Sequence, residues 1–181
     1  MVRLNREIEV VRGGVDMDKG KLRLYVLTAL IAGMAAIGGF IKVPLGTAQS
    51  AAIDSAPAFI AAVLLPAPYA GLSAMLGHFA TAATSGFFLG PFHMLIAVEM
   101  FVIAYVFAKM HQAGMHKLKW GFALLANGIL SPLPFYFLIS PAFYLGAVPG
   151  LLLATALNLF VAALVMPIIA KAMVRNGAKT Y

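Results

Sequence analysis

Six apolar segments, separated by short breaks of proline, glycine and serine, constrain this chain more than any other feature. They cover residues 24–41, 53–65, 69–84, 91–108, 118–139 and 145–170. A helix needs about 20 apolar residues to cross the roughly 30 Å hydrocarbon core of a bilayer. The first and the last three segments meet or approach that length. The second segment spans only if it begins inside the preceding loop, near Ala51.

The composition excludes a soluble enzyme. The chain is 62% hydrophobic and 10% charged, whereas an average soluble domain is about 45–50% apolar and about 25% charged. Cysteine is absent from the sequence, which excludes a disulfide scaffold, thiolate catalysis and cysteine-ligated metals. The alternation typical of a membrane β-barrel is missing, so no strand is expected. We therefore predict an all-α membrane protein, a bundle of six transmembrane helices.

The positive charges predict an orientation. With the N-terminus in the cytoplasm, twelve of the thirteen Lys and Arg residues fall on the cytoplasmic side and only Lys42 lies outside. Lys and Arg are enriched in cytoplasmic loops, so we predict a multi-pass protein of the bacterial plasma membrane with both termini cytoplasmic. The charges are too sparse and too terminal for a nucleic-acid partner. The predicted division is an N-terminal extension 1–20, a membrane domain 21–175 and a tail 176–181.

Polar side chains inside the predicted helices are candidates for function, because such groups are costly in lipid. The strongest candidates are Asp54, His78, Glu99, Asn127 and Asn158. Asp54 is expected either to cap the second helix or to contact a ligand. For Asn127 and Asn158, hydrogen bonds between helices explain the residues equally well.

All five residues fall at mid-membrane depth or on the outer side, where the connections are also rich in aromatic residues. Some of these rings are expected in the interfacial belt, but rings above converging polar groups also describe a small-molecule pocket. We therefore predict a ligand cavity that opens to the exterior, with the loop 85–93 as its flap. Four further residues are predicted to contribute to it: Gln49, Phe88, His93 and Tyr136.

No pattern in the sequence indicates catalysis or a metal site. His93 and Glu99 lie six residues apart, which separates them by about 120° around a helix. Walker and HExxH motifs are missing from the sequence. The chain is predicted to bind without reacting, with no cofactor of its own. The alternatives are a small intramembrane enzyme that uses His78 and Glu99, and a channel or assembly factor.

Small residues recur four apart on two helices, at Ala32 and Ala36 on the first and at Ala70 and Ala74 on the third. Such spacing lets helix backbones approach closely in lipid. The pattern predicts either packing within the bundle or a docking groove for a partner membrane subunit, and the sequence does not separate the two.

Taken together, several stretches resemble the substrate-binding S component of an energy-coupling factor (ECF) vitamin transporter. They are the alanine-rich first helix, the outer loop 41–59, the run 71–90 and Asn158, and the resemblance covers residues 21–175. It implies that the chain captures a vitamin outside the cell and works with a membrane scaffold subunit and two cytoplasmic ATPases. Ala32 and Ala36 match the AxxxA docking pattern of that family.

Within the family, residues 54–59 and 77–100 are most similar to the branch that takes up α-ribazole, a nucleoside precursor of cobalamin. A benzimidazole face stacks well on aromatic rings, and ribose hydroxyls suit Glu99, His78 and asparagine. Pantothenate, a pyrimidine or a pyridoxal compound fits these residues almost as well.

Overall fold

The structure, a computed structural model, describes residues 19–44, 50–177 and 180–181. Gln49 and nearly all of the predicted N-terminal extension lie outside the described residues. Six helical segments follow one another, which confirms the predicted order: α1 (Lys19–Gly38), α2 (Ala56–Leu64), α3 (Ala67–Thr84), α4 (Phe92–Gln112), a fifth segment made of α5 (Leu118–Leu125), a π-helical turn (Ala126–Leu130) and α6 (Pro134–Leu138), and α7 (Pro141–Arg175).

Four of the six segments are long and apolar enough to cross a membrane: Lys19–Gly38, Phe92–Gln112, Leu118–Leu138 and Pro141–Arg175. The nine residues of α2 extend only about 14 Å at 1.5 Å per residue, so α2 is too short to span the bilayer. The protein is thus a helical multi-pass membrane protein, and the count of six spans and the cytoplasmic termini stay predictions.

The short helix α2 forms the centre of the bundle. It is apolar on all sides, as expected of a fully buried helix, and its residues 56–63 are all buried. It contacts α1, α3, α4 and α7. Phe59 is completely buried, and its ring meets the edge of Phe107 on α4 at a centroid distance of 5.0 Å. The core therefore surrounds α2 on every side.

Close packing of α1 against α3 depends on small residues. A Cβ atom added to Gly77 would lie 2.8 Å from the Cβ of Ala35, so only glycine allows this approach. Ala32, Ala70 and Ala74 are buried in the same part of the bundle. This corrects the docking prediction for those three alanines, because contacts within the chain already cover them.

The other face of α1 remains available. Ala36 is half-buried and Gly33 is exposed. A Cβ atom added to Gly33 would meet nothing within 4 Å among the described residues. Of the four predicted docking residues, Ala36 alone keeps access to a partner.

A short β-hairpin joins α1 to α2, and it corrects the expectation of no strands. The strands β1 (Lys42–Pro44) and β2 (Ser50–Ala52) pair antiparallel, with Lys42 opposite Ala52. Strand pairing satisfies backbone groups that would otherwise lack partners at the end of the bundle. The residue that follows β2 packs on the last turn of α1, where a Cβ atom on Gly38 would collide with the carbonyl of Ile53.

Candidate functional site

A cavity of about 670 Å³ lies at one end of the bundle. Its walls come from the hairpin, the connection before α2, the end of α3, the loop before α4, the start of α4, the π-helical turn, α6 and the first half of α7. At the other end, the backbone N–H of Tyr181 donates to the carbonyl of Val63. Ligand pockets typically enclose about 300–1,000 Å³, so the cavity has room for a small molecule.

The structure brings six of the nine predicted substrate-binding residues to this cavity: Asp54, His78, Phe88, His93, Asn127 and Asn158. They come from the connection before α2, from α3, from the loop before α4, from α4 itself, from the π-helical turn and from α7. Of the other three, Gln49 lies outside the described residues, and Glu99 and Tyr136 do not line the cavity.

Asn158 ties the connection between α1 and α2 to α7. Its Oδ1 accepts hydrogen bonds from the backbone N–H groups of Ser55 at 3.0 Å and Ala56 at 2.7 Å. Its Nδ2 donates to the carbonyls of Ala52 at 2.7 Å and Ala154 at 2.9 Å. These four bonds use the full capacity of an amide side chain. Asn158 therefore positions the cavity wall, and it has no donor or acceptor left for a ligand.

Asp54 does not cap α2, so that alternative is wrong. The side chain of Ser55, the N-cap residue, makes no cap bond, and the backbone N–H groups of Ser55 and Ala56 donate to Asn158 instead. The hydroxyl of Ser55 donates to Asp54 Oδ1 at 3.1 Å. Burial raises the pKa of Asp54, while the Ser55 hydroxyl lowers it less strongly. Asp54 lines the cavity, and a carboxyl group has acceptor capacity beyond the bond from Ser55.

The π-helical turn brings Asn127 to the cavity. Such turns insert one extra residue per turn and often occur at functional sites. Asn127 Nδ2 donates to Thr155 Oγ1 on α7 at 2.8 Å. The turn packs tightly there, since a Cβ atom on Gly128 would lie 2.6 Å from Leu152 Cδ2. The predicted hydrogen bond between helices is confirmed. The side-chain oxygen of Asn127, Oδ1, receives no hydrogen bond from the described residues.

Glu99 lies behind the cavity wall. Its Oε2 accepts a hydrogen bond from the hydroxyl of Ser131 at 2.8 Å, and Ser131 itself lines the cavity. Glu99 and His93 are on the same helix, but only His93 reaches the cavity, as their separation of about 120° predicts. The enzyme alternative therefore lacks the pairing of His78 with Glu99 on which it depends.

The two histidines of the cavity contact each other. His78 Nε2 lies 3.1 Å from His93 Nδ1, and the backbone N–H of Leu89 donates to His93 Nε2 at 3.4 Å. Among the described residues, no group of three or more His, Cys, Asp or Glu side chains is placed to hold a metal ion. The pair is therefore best understood as a hydrogen-bonded pair.

Aromatic rings complete the cavity wall. Phe88, Phe135 and Phe143 line it, and the Phe135 ring contacts that of Phe143 at 6.0 Å. Tyr136 was predicted here, but its ring packs against Phe137 and Tyr144 instead. Neighbouring residues on a helix point about 100° apart, so Phe135 and Tyr136 cannot share one face.

Sequence reasoning missed several polar residues of the wall, among them Thr81, Ser131 and Thr155. Helical spacing identifies two of them, because residues three apart share a face. Thr81 follows His78 by three positions, and Thr155 precedes Asn158 by three. Ser131 follows the π-helical turn, and no signal in the sequence identifies it.

Comparison with known protein families agrees with this arrangement. The family model described as ECF transporter, substrate-specific component, matches residues 23–177. No significant match is found among curated proteins, and no solved structure matches significantly. The match covers most of the chain, which therefore belongs to the family of substrate-specific components of ECF transporters.

Proposed function

We propose that this chain captures α-ribazole from outside a bacterial cell and releases it inside with its ATP-driven partners. Membership of the family makes the chain a substrate-binding, non-enzymatic subunit of a membrane transporter, with a small molecule as its substrate. The cavity carries the more specific proposal. It combines a carboxyl, an amide oxygen and a histidine with aromatic rings, and these groups complement a nucleoside.

The aromatic wall supports a flat ring system as one half of the ligand. Phe88, Phe135 and Phe143 are spaced along the wall, and an aromatic ring gains about 0.5–1.5 kcal/mol from such a contact beyond its area burial. Asp54 and Asn127 offer oxygen acceptors for sugar hydroxyls.

The distribution of charge supports an outward-facing cavity. In the part of the chain that the structure describes, Lys42 is near the cavity, while the other basic residues lie on α1, α4, α5, α7 and the connection between α4 and α5. Lys and Arg mark the cytoplasmic side. We propose that the scaffold subunit docks on the exposed face of α1 that includes Ala36.

Native mass spectrometry of the detergent-extracted chain tests the substrate directly. We expect a co-purified molecule with the mass of α-ribazole. A different vitamin in its place would show that the substrate proposal is wrong while leaving the family role intact. Turnover of the bound molecule by the isolated chain would instead favour the enzyme alternative.

A further inference from the structure

We propose that His78 and His93 form a pair fixed in one tautomer, so that the cavity presents the Nδ1–H of His78 as a hydrogen-bond donor. The site then takes a ligand with an acceptor at that point, such as an aromatic ring nitrogen without a proton. The inference rests on the proposed function, because it defines the chemistry of the ligand in the same cavity.

The tautomers follow from the bonds that the two rings make. The N–H of Leu89 donates to His93 Nε2 at 3.4 Å, and a ring nitrogen that accepts a hydrogen bond carries no proton. A neutral His93 therefore has its proton on Nδ1. This Nδ1 lies 3.1 Å from His78 Nε2, to which it donates. His78 Nε2 is then an acceptor, so the proton of a neutral His78 is on Nδ1.

His93 is held in place by the loop before α4. The rings of Phe87 and Phe88 meet the His93 ring edge-on at 5.5 Å and 5.6 Å, and His93 is only 5% exposed. Phe87 has a φ of 48°, a left-handed conformation that costs a non-glycine residue about 1–2 kcal/mol. Such a backbone persists only where surrounding contacts hold it. His93 is therefore a positioning residue that acts through His78.

The Nδ1 of His78 remains available to a ligand. No described atom accepts a hydrogen bond from this nitrogen. Among the described residues, every buried side-chain nitrogen has a hydrogen-bond partner, so a nitrogen without a partner cannot be buried. The atom is therefore accessible, and His78 lines the cavity. Asp54 and Asn127 line the same cavity with oxygen acceptors, and Asn127 Nδ2 keeps a second N–H beside the one that it donates to Thr155. The wall thus complements a ligand with hydroxyl donors at one part and a bare ring nitrogen at another.

This pattern discriminates between ligand classes. A nucleoside whose ring has a single unprotonated nitrogen satisfies the His78 donor. A ring that presents an N–H or an ammonium group at that point places two donors against each other and leaves both without a partner. An unpaired donor in a closed site costs about 1–3 kcal/mol, so the pair favours the first class of ligand.

The tautomers are measurable without any ligand. In the full chain labelled with ¹⁵N-histidine and held in detergent, long-range ¹H–¹⁵N spectra distinguish protonated from bare ring nitrogens. His111→Gln and His116→Gln variants identify the signals of the two histidines outside the cavity. We expect both His78 and His93 to carry the proton on Nδ1. A proton on Nε2 of either residue would overturn the proposal.

A matched pair of probes tests the donor itself. The first is α-ribazole, and the second is the same nucleoside with C–H in place of its free ring nitrogen. The wild-type chain should bind α-ribazole about tenfold more tightly, the effect of one hydrogen bond. His78→Phe should abolish this preference, and His78→Asn should restore part of it through its amide N–H. His93→Phe should reduce it, because the tautomer is no longer fixed.

An unchanged preference in His78→Phe would contradict the proposal, even if both affinities fall. If α-ribazole fails to bind the wild-type chain, the substrate proposal is wrong, and the NMR spectra still decide whether the tautomer-fixed pair exists.

Discussion

The most informative single residue is Asn158, whose side chain holds together parts of the chain that lie more than a hundred positions apart. Its amide replaces the side-chain cap that the residues before α2 do not provide. The sequence predicts an asparagine at mid-depth in the last helix, but it does not indicate which backbone groups lie opposite. That choice depends on how α7 is rotated against α2, which spacing within one helix does not determine.

We expect Asn158→Ala to destabilise the protein by about 3 kcal/mol or more, because it leaves buried backbone groups unpaired at about 1–3 kcal/mol each. In thermal unfolding in detergent, that corresponds to a decrease in Tm of about 6–12 °C. Asn158→Asp keeps the two accepted bonds, so its Tm should lie between those of Asn158→Ala and the wild type. Asn176→Ala, at an exposed position after α7, is the control and should match the wild type. Equal Tm values for Asn158→Ala and the control would disprove that the Asn158 side chain holds the start of α2 against α7.

Asp54 predicts a pH dependence of stability. Burial raises the pKa of Asp54 above its unfolded value of about 4, so the fold favours the protonated carboxyl. The stability that this provides is present below the unfolded pKa and is lost as the pH rises through the raised folded pKa. Relative to Asp54→Asn, the wild type should therefore become less stable as the pH rises above about 4.

Thermal unfolding of both chains at a series of rising pH values measures the effect. Ser55→Ala removes the hydroxyl that donates to Asp54 and should shift the loss of stability to higher pH. A stability difference between wild type and Asp54→Asn that stays constant with pH would rule out this account of Asp54.

At the scale of the elements, the apolar segments predicted the six helices well, because length and composition decide which stretches become helical in lipid. The hairpin and the π-helical turn were not predicted. Strands of three residues are too short to show an alternating pattern. At the π-helical turn, Gly128 packs against Leu152. Such a contact between helices leaves no local pattern in the sequence.

Two helical glycines should respond in opposite ways to substitution, because Gly77 lies in the contact between α1 and α3 and Gly33 lies outside it. Gly77→Ala should destabilise the protein by about 1–3 kcal/mol, because the added Cβ would lie 2.8 Å from that of Ala35 and overpacking forces the backbones apart. Gly33→Ala meets no described atom within 4 Å and should stabilise α1 by about 0.5–1 kcal/mol. Thermal unfolding in detergent compares them. A gain in Tm for Gly77→Ala would show that the helices are not packed as described.

At the scale of the whole molecule, depth along the helices was the most useful signal for the site. Polar residues concentrated at one end of a bundle tend to meet, and Asp54, His78, His93 and Asn127 do line one cavity. Depth does not determine the direction in which a side chain points. Glu99 therefore lies behind Ser131, and Tyr136 lies at the surface of the bundle. Whether these residues bind substrate remains a proposal.

Filling the cavity gives the most direct measurement of the central claim, which is that one cavity in this chain binds the substrate. Isothermal titration of the purified chain with α-ribazole should show binding by the wild type and no binding by Ala147→Trp, whose indole would occupy the cavity. Ala163→Trp, at an exposed position of the same helix, should bind as the wild type does, with Tm values confirming that both variants fold. Binding by Ala147→Trp with wild-type affinity would contradict the account.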